Sequence, residues 1–408
     1  MKKLAIIGSG ISGMGTAWLL RDKYDITVFE KNNYAGGHTN TVTVNDEGGD
    51  LPIDTGFIVF NDVTYPTLIR TFAELNVTVE NSDMSFAVHS LDSGLQFNGS
   101  SLNGLFAQRK NIFKPSYLKF LLAINRFNKT APRHLESNQA NMRLAEYVTK
   151  FNYPESFMQD FLVPMASAVW STPIEKMADF PTATLIRFFL NHGFLGLDTQ
   201  YQWKTVSGGS INYMNKIRAA LKKDVIINTP VKKIVRKNEG VTIVTQEGEQ
   251  HFDLAVSAVH GDQVLPLLEN PTPLEKELIS PFRYEKNIAI LHTDESVMPP
   301  LKKVWSAWNY IKQGNLSTTA YLMNKLQNLK TRNNYFVSIN EFRKIDTSKI
   351  IRTIEYEHPL FDRATEEAQK RLHELNSSGP LYFAGAWTRY GFHEDGMLSA
   401  DNVAKRLL

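Results

Sequence analysis

The chain has 408 residues, with 45 Lys and Arg against 42 Asp and Glu, a formal charge of +3 and no cysteine. This length exceeds what one hydrophobic core ordinarily serves, so two domains are expected, and so mild a charge gives no ground for nucleic acid as a partner. Without thiols there is no disulfide framework, no cysteine-ligated cluster, no cysteine nucleophile and no cysteinyl attachment of a cofactor.

Leu4 to Ile7 reads as a short apolar strand ending at Gly8-Ser9-Gly10-Ile11-Ser12-Gly13, and Met14 to Arg21 as the helix that follows. In such a unit Gly8 makes the tight turn, Gly10 lets the backbone approach a pyrophosphate, and Gly13 permits close packing of helix on strand. The helix N-terminus, with Ile11 and Ser12, then faces the phosphates. A second strand, Ile26 to Phe29, ends at Glu30, where a carboxylate accepts hydrogen bonds from an adenosine ribose and repels a 2′-phosphate. Together these elements predict dinucleotide binding. The Met1-Lys2-Lys3 start is read as the beginning of the first strand rather than a leader, and no stretch approaches transmembrane length. The expected location is the cytoplasm, with peripheral contact at the inner membrane face as an extension of that reading.

The run after Glu30 separates NAD from FAD. Glu30-Lys31-Asn32-Asn33-Tyr34-Ala35-Gly36-Gly37-His38-Thr39 resembles the extended signature of the flavin-containing amine oxidoreductase superfamily, in which an acidic residue is followed shortly by Gly-Gly-Arg. The resemblance implies FAD and places Lys31, Gly36, Gly37, His38 and Thr39 beside it; with no cysteine to attach it, the cofactor is expected to be noncovalent. It also implies an α/β fold, amine-oxidase/glutathione-reductase-like: a Rossmann-type FAD-binding domain with a parallel sheet and an interleaved α+β substrate domain. His38 stands where most of the superfamily has arginine, and histidine carries full charge only below its pKa. A surface-loop histidine is the competing reading.

Thr41 to Val44 reads as a strand, Asp46 to Pro52 as a turn, and Pro66 to Leu75 as a helix. Ile53-Asp54-Thr55-Gly56-Phe57 is similar to the superfamily's strand-and-glycine passage beside the flavin, which places Asp54, Thr55 and Gly56 near the cofactor. From Met84 to Trp203 the chain is rich in aromatics and has no nucleotide signature, and most of the substrate domain is expected there. Phe113, Tyr117, Phe120, Ile124 and Phe127 recur at helical spacing with Lys114, Lys119, Arg126 and Lys129 nearby. Packing on a core is the favoured reading of that stripe, and a seat on anionic lipid the other. Phe161 to Trp170 and Ile186 to Leu197 are assigned to a pocket by elimination.

Trp203 to Ser210 and Val225 to Ile234 are similar to the place where the superfamily chain returns to its FAD domain, with the backbone of Val231 against adenine. Val241 to Thr245 and His251 to Ala258 read as strands about the turn at Glu247-Gly248-Glu249. Lys286 to Thr293 and Val304 to Tyr310 read as strands of a sheet covering the flavin. The resemblance sets Lys286 where several amine oxidases hold a lysine against flavin N5 through a water; a solvated surface lysine is the competing reading. Leu381 to Trp387 reads as a strand ending in glycine, and Gly391 to Leu398 opens a C-terminal helix. In the superfamily that helix points at the flavin, which assigns Gly385, Ala386, Gly396 and Met397 to the cofactor. Many relatives carry an acid where Ala386 stands, so His393, Glu394 or Asp395 is left to meet the ribityl chain, with simple capping as the alternative for the two acids. His292 and His393 are the candidate general bases, and no metal-ligand set is recognised.

The expected division is residues 1–83, 204–265 and 350–408 for the FAD-binding domain and 84–203 with 266–349 for the substrate domain. Over its length the chain resembles bacterial predicted NAD/FAD-binding proteins of this superfamily that share GGHTNT, DTGFIVFN, LHTD, SAWNY and YGFHEDG-like stretches and are associated with cyclopropane fatty acid synthases. The function this implies is an FAD-dependent oxidoreductase taking hydride from a C–H bond of an apolar substrate, a fatty-acyl lipid, with a lipid-modifying enzyme as partner. One alternative is a flavin amine oxidase acting on a small amine, with Trp305, Trp308, Trp387 and Tyr390 supplying an aromatic site. Another is a non-catalytic FAD-binding partner of such a lipid-modifying enzyme.

Overall fold

The computed structural model describes the chain except for residues 47, 171, 197–200, 238 and 378. Four parallel strands form the nucleotide sheet, in the order Leu381–Phe383, Leu254–Ser257, Lys2–Ile7, Tyr24–Phe29. Leu4, Ala5 and Ile6 are wholly buried, as expected of a central parallel strand covered on both faces. Ile226 extends the sheet by a parallel bridge to Phe29. The predicted α/β class with a Rossmann-type parallel sheet is what is observed.

The three glycines of the opening turn are under the pressures anticipated from the sequence. Gly8 has φ +99°, and a Cβ there would stand 2.8 Å from the carbonyl oxygen of Ala258. A Cβ on Gly13 would collide with the carbonyl oxygen of Gly8, whereas one on Gly10 would meet nothing within 4 Å. The first helix, Ile11–Leu20, lies against the last, His393–Leu407, through small residues: a Cβ on Gly15 would stand 2.6 Å from Met397 Sδ, and one on Gly396 2.9 Å from Ser12 Oγ. Two helices from opposite ends of the chain thus pack side by side.

The second large sheet has seven strands in the order Ile350–Leu360, Arg283–His292, Phe336–Ile339, Leu316–Leu322, Trp308–Gln313, Phe86–Ser90, Gln96–Asn98. Its pairings are antiparallel except that of Trp308–Gln313 with Phe86–Ser90. Ile350–Leu360 pairs along nearly its whole length with Arg283–His292, so this stretch sits with the second sheet. The single strand expected over His251 to Ala258 is two, Glu249–Phe252 and Leu254–Ser257, which turn at Asp253 into different sheets. The strand expected from Val304 begins only at Trp308, because Lys302–Val304 closes a 3₁₀ turn. The turn expected over 46–52 is the tip of a hairpin between Thr41–Asp46 and Gly49–Asp54, with residue 47 outside the described residues.

The 22-residue helix Pro115–Glu136 buries Tyr117, Phe120, Ala123, Phe127 and Ala131, which bears out the core reading for most of the predicted stripe. Phe113 precedes the helix and is 85% exposed. The apolar run predicted over 186–197 is helical from Thr182 to Asn191, and its last residue, Leu197, lies outside the described residues. Among the described residues no helix is long and apolar enough to cross a membrane.

Gly13→Ala should lower stability by about 1–3 kcal/mol, the usual cost of overpacking, because both sides of the contact are backbone. Chemical denaturation of the flavin-free chain measures this, and an unchanged midpoint would contradict the contact.

Candidate active site

A cavity of about 910 Å³ runs from the glycine turn to the second sheet, near the upper end of the roughly 300–1,000 Å³ usual for ligand sites. Glu30 closes its nucleotide end. The Glu30 carboxylate accepts from Ser9 N at 3.0 Å, Ser9 Oγ at 2.6 Å and Asn32 N at 2.9 Å, and Ser9 Oγ in turn accepts from Gly36 N at 3.2 Å. This ties the ends of the first two strands to the Gly36-Gly37 loop. A Cβ on Gly37 would sit 3.3 Å from Gly10 Cα, so the loop rests on the glycine turn. Ser9 was missed by the sequence reading, although a hydroxyl between two turn glycines is placed to donate and accept at once.

The first helix starts at Gly10 with no side-chain cap and no acid in its first turn. Its leading N–H groups are therefore left for an anion, and the open space at Gly10 lets that anion approach. Thr229, Pro230, Val231 and Val259 continue the same part of the wall, with Lys31 at its edge. The uncapped helix, the glycine cradle and the Glu30 carboxylate fit the pyrophosphate and ribose of FAD. Gly385, Ala386, Thr55 and Gly56 line the cavity farther on.

Of the residues assigned to the cofactor, Gly8, Gly10, Ile11, Ser12, Glu30, Lys31, Gly37, His38, Thr55, Gly56, Val231, Gly385 and Ala386 line the cavity. Gly13, Gly36, Thr39, Asp54, Glu394, Gly396 and Met397 lie behind it. Gly36 (φ +124°) shapes the loop that presents His38. Asp54 is saturated by internal bonds: from Thr41 Oγ1 at 2.5 Å, Ser210 N and Oγ at 2.9 and 2.7 Å, and Gln327 Nε2 at 3.1 Å. Its burial pushes the carboxyl up to about 6. Glu394 receives Thr67 N at 3.0 Å and Leu68 N at 2.9 Å, so it caps the helix Pro66–Glu74, which has no side-chain cap of its own. Asp395 accepts from Phe392 N at 3.0 Å and caps its own helix. Both acids are engaged in capping and lie outside the cavity lining. Gly396 and Met397 hold the last helix against the first.

The three candidate catalytic residues fare differently. Along Arg283–His292 the alternation of side chains turns Asn287, Ala289 and Leu291 inward and Lys286 outward. Lys286 is exposed, pairs with Glu355 at 2.9 Å and does not reach the cavity. His292 is fully buried behind the wall: its Nδ1 accepts from Asp294 N at 3.1 Å, which leaves Nε2 to donate to Ser338 Oγ at 2.8 Å. Burial lowers it to about 4, and both nitrogens are engaged, so it has no free position for base chemistry. His393 does line the cavity, stacked on Phe57 at 3.7 Å between ring centres, with Nε2 3.1 Å from Thr39 Oγ1 and 3.0 Å from Tyr213 OH. Burial takes it down to about 3 and keeps the ring neutral.

His38 stacks on Tyr356 at 4.8 Å, with His358 at 5.2 Å and His260 at 6.5 Å. Burial first, then the neighbouring histidines, holds its pKa well below the usual histidine range. In the flavin-free chain it is therefore uncharged at neutral pH, where the superfamily arginine would carry a full charge. Its Nε2 is buried without a protein partner. His260 bonds Glu357 at 3.3 Å and stacks on Tyr284 at 4.3 Å. This polar group was not foreseen, because its members come from four separated stretches of chain.

The rest of the wall is aromatic. Phe188 lies between Trp170 at 4.8 Å and Phe392 at 5.0 Å; Trp203, Phe194, Trp308 and Tyr321 continue the surface. Among its described residues this part of the wall carries no carboxylate. Trp308, Trp387 and Tyr390, named for an amine site, line the cavity, whereas Trp305 packs on Phe336 away from it.

The family model described as flavin containing amine oxidoreductase matches residues 11–340. A 1-hydroxycarotenoid 3,4-desaturase from Flavobacterium sp. (strain P99-3) is 43% identical over 81 residues, which is 20% of this chain and only 15% of that enzyme. Among solved structures, a CLA-producing fatty acid isomerase from P. acnes superposes with TM-score 0.69 at 13% identity, over 99% of this chain and 98% of that one. A putrescine oxidase bound to putrescine gives 0.70 at 13% over 100% and 98%, and the cyclohexylamine oxidase of Brevibacterium oxydans IH-35A 0.66 at 15% over 100% and 99%. These likenesses show the fold. The chain belongs to the flavin-containing amine oxidoreductases and is an FAD-dependent oxidoreductase.

Two predictions follow from this geometry. Gly10→Ala should leave the stability of the flavin-free chain unchanged while weakening FAD binding by at least tenfold, read by flavin fluorescence titration; unchanged affinity would move the pyrophosphate elsewhere. Burial keeps His89, His192, His292 and His358 near 4 and His393 near 3, against 6.5 for the ordinary side chain. Their contribution is complete above about 6.5 and is lost as pH falls towards 4, because the unfolded chain binds the protons. Asp54 near 6 and Asp395 near 7 act oppositely, stabilising at low pH and losing that contribution as pH rises. Five histidines outweigh two acids, so denaturation midpoints should fall steadily from pH 6.5 to pH 4, and a flat profile would contradict the buried neutral state.

Proposed function

We propose that this oxidoreductase takes hydride from a C–H bond of an apolar substrate, a fatty-acyl lipid, in a dehydrogenase or desaturase reaction. The observation that carries this reading is the aromatic wall of Trp170, Phe188, Phe194, Trp203 and Phe392, which offers a long chain contact and, among the described residues, no carboxylate to pair with an ammonium group. The local identity with a carotenoid desaturase and the overall likeness to a fatty acid isomerase support it. Bound FAD, held noncovalently, supplies the two-electron acceptor. The chain's own part is to hold the nucleotide between Glu30 and the first helix, to exclude water with the aromatic wall, and to keep His38, His358 and His393 uncharged. Association with a lipid-modifying enzyme, as the resemblance to the cyclopropane-linked proteins implies, belongs to the same proposal. A small amine is the second reading, supported by Trp308 and Tyr390 at the wall.

Under anaerobic conditions the visible flavin bands of the holoprotein should bleach when a bacterial membrane-lipid extract is added and stay unchanged with a mixture of primary amines. Bleaching by amines alone would replace the lipid reading with the amine one, and bleaching by neither would overturn both.

A further inference from the structure

We infer that the outward face of the Pro115–Glu136 helix, with the segment just before it, is a docking surface for anionic phospholipid. The helix advances about 100° per residue. Tyr117, Phe120, Phe127 and Ala131 therefore gather on one side, which is buried, and Leu118, Leu122, Arg126 and Lys129 gather on the other. Leu118 is 41% exposed and Leu122 66%, and the preceding segment adds Ile112 at 43%, Phe113 at 85% and Leu102 at 69%. These five large apolar side chains are packed into 21 residues of sequence, and the fold leaves them open to water.

Charge says what covers them. From residue 93 to residue 135 there is no Asp or Glu, in a chain that holds 42, while Arg109, Lys110, Lys114, Lys119, Arg126, Lys129 and Arg133 all fall within that stretch. Arg109 and Arg126 spend their hydrogen bonds on Asn103 and on backbone carbonyls, and none of the four lysines forms an ion pair among the described residues. An apolar patch ringed by unpaired cations, with the acids removed, is complementary to a negatively charged interface with hydrocarbon beneath it. The helix that carries the patch also packs against Thr182–Asn191, whose Phe188 lines the cavity. The surface thereby stands in direct contact with the element that bounds the substrate site. A role in loading substrate rests on the lipid reading of that site; the docking surface itself does not.

The test is co-sedimentation of the holoprotein with vesicles of phosphatidylglycerol and phosphatidylcholine in equal parts, and with vesicles of phosphatidylcholine alone. Binding should favour the anionic vesicles and weaken as salt is raised. The double variant F113S/L122S and, separately, the triple variant K114Q/K119Q/K129Q should each reduce binding about tenfold or more, since a lysine near an anionic surface contributes roughly fivefold. Flavin spectrum and thermal midpoint should stay unchanged, as these side chains are exposed. Failure of the parent protein to bind, or equal binding by both variants, would overturn the inference. So would a dimer by analytical ultracentrifugation that F113S/L122S dissociates, because a second copy would then be the occupant. Vesicle binding is read without turnover, so a protein that binds but does not oxidise lipid would fail the functional reading alone.

Discussion

The Glu30 carboxylate is the constraint on which the site depends. It lies at the end of the second strand and receives three hydrogen bonds, two from Ser9 and one from Asn32, while Ser9 reaches on to Gly36. Hydrogen bonds to a charged acceptor contribute roughly 1.5–3 kcal/mol each, enough to fix the spacing of the glycine turn from the loop that carries His38. From His38 the order passes to the next passage: its carbonyl accepts from Phe57 N at 2.7 Å, and Gly56 fits against it with no room for a side chain. The same carboxylate that would hold a ribose therefore also sets the wall that the ring system of a flavin would face. Replacing it would disturb architecture and cofactor together.

Two helices begin beside this cavity and are treated oppositely. The last one is capped by Asp395 at its own start, and its Glu394 is turned away to cap the helix Pro66–Glu74. The first one has no cap at all. A helix end left without a partner ordinarily weakens the fold, so it persists where something else satisfies it. The close seating of Gly15 and Gly396 supports that uncapped end from behind, through the small contacts between the two helices.

What the sequence made legible was local. The roles of Gly8, Gly10 and Gly13 follow from a dozen consecutive residues, and the structure gives each the surroundings its role needs. What the sequence left hidden depends on partners far along the chain. Asp54 is consumed by Thr41, Ser210 and Gln327, and Glu394 by a helix start 327 residues earlier. Lys286 is held on the outer side by Glu355 of the paired strand Ile350–Leu360, a partner that an ordinal match across a divergent region does not reveal. Likewise only the pairing partner of Ile350–Leu360 tells which sheet it joins. His38, His260, Tyr284 and His358 were never seen as a group, because no spacing links them.

The neutral state of His38 then bears on how the phosphate charge is met. The superfamily arginine would place a full positive charge beside the pyrophosphate, and here burial and the neighbouring histidines keep that position uncharged. Among the described residues of the wall the one lysine or arginine is Lys31, at the edge. The remaining positive potential comes from the backbone, from the leading N–H groups of Ile11–Leu20 and the partial charge of that helix end. An uncapped helix and a missing arginine are therefore two sides of one arrangement. A cap on the first helix would compete with the phosphates for the same N–H groups, and without an arginine nearby only Lys31, at the edge of the described wall, would be left to offset the loss.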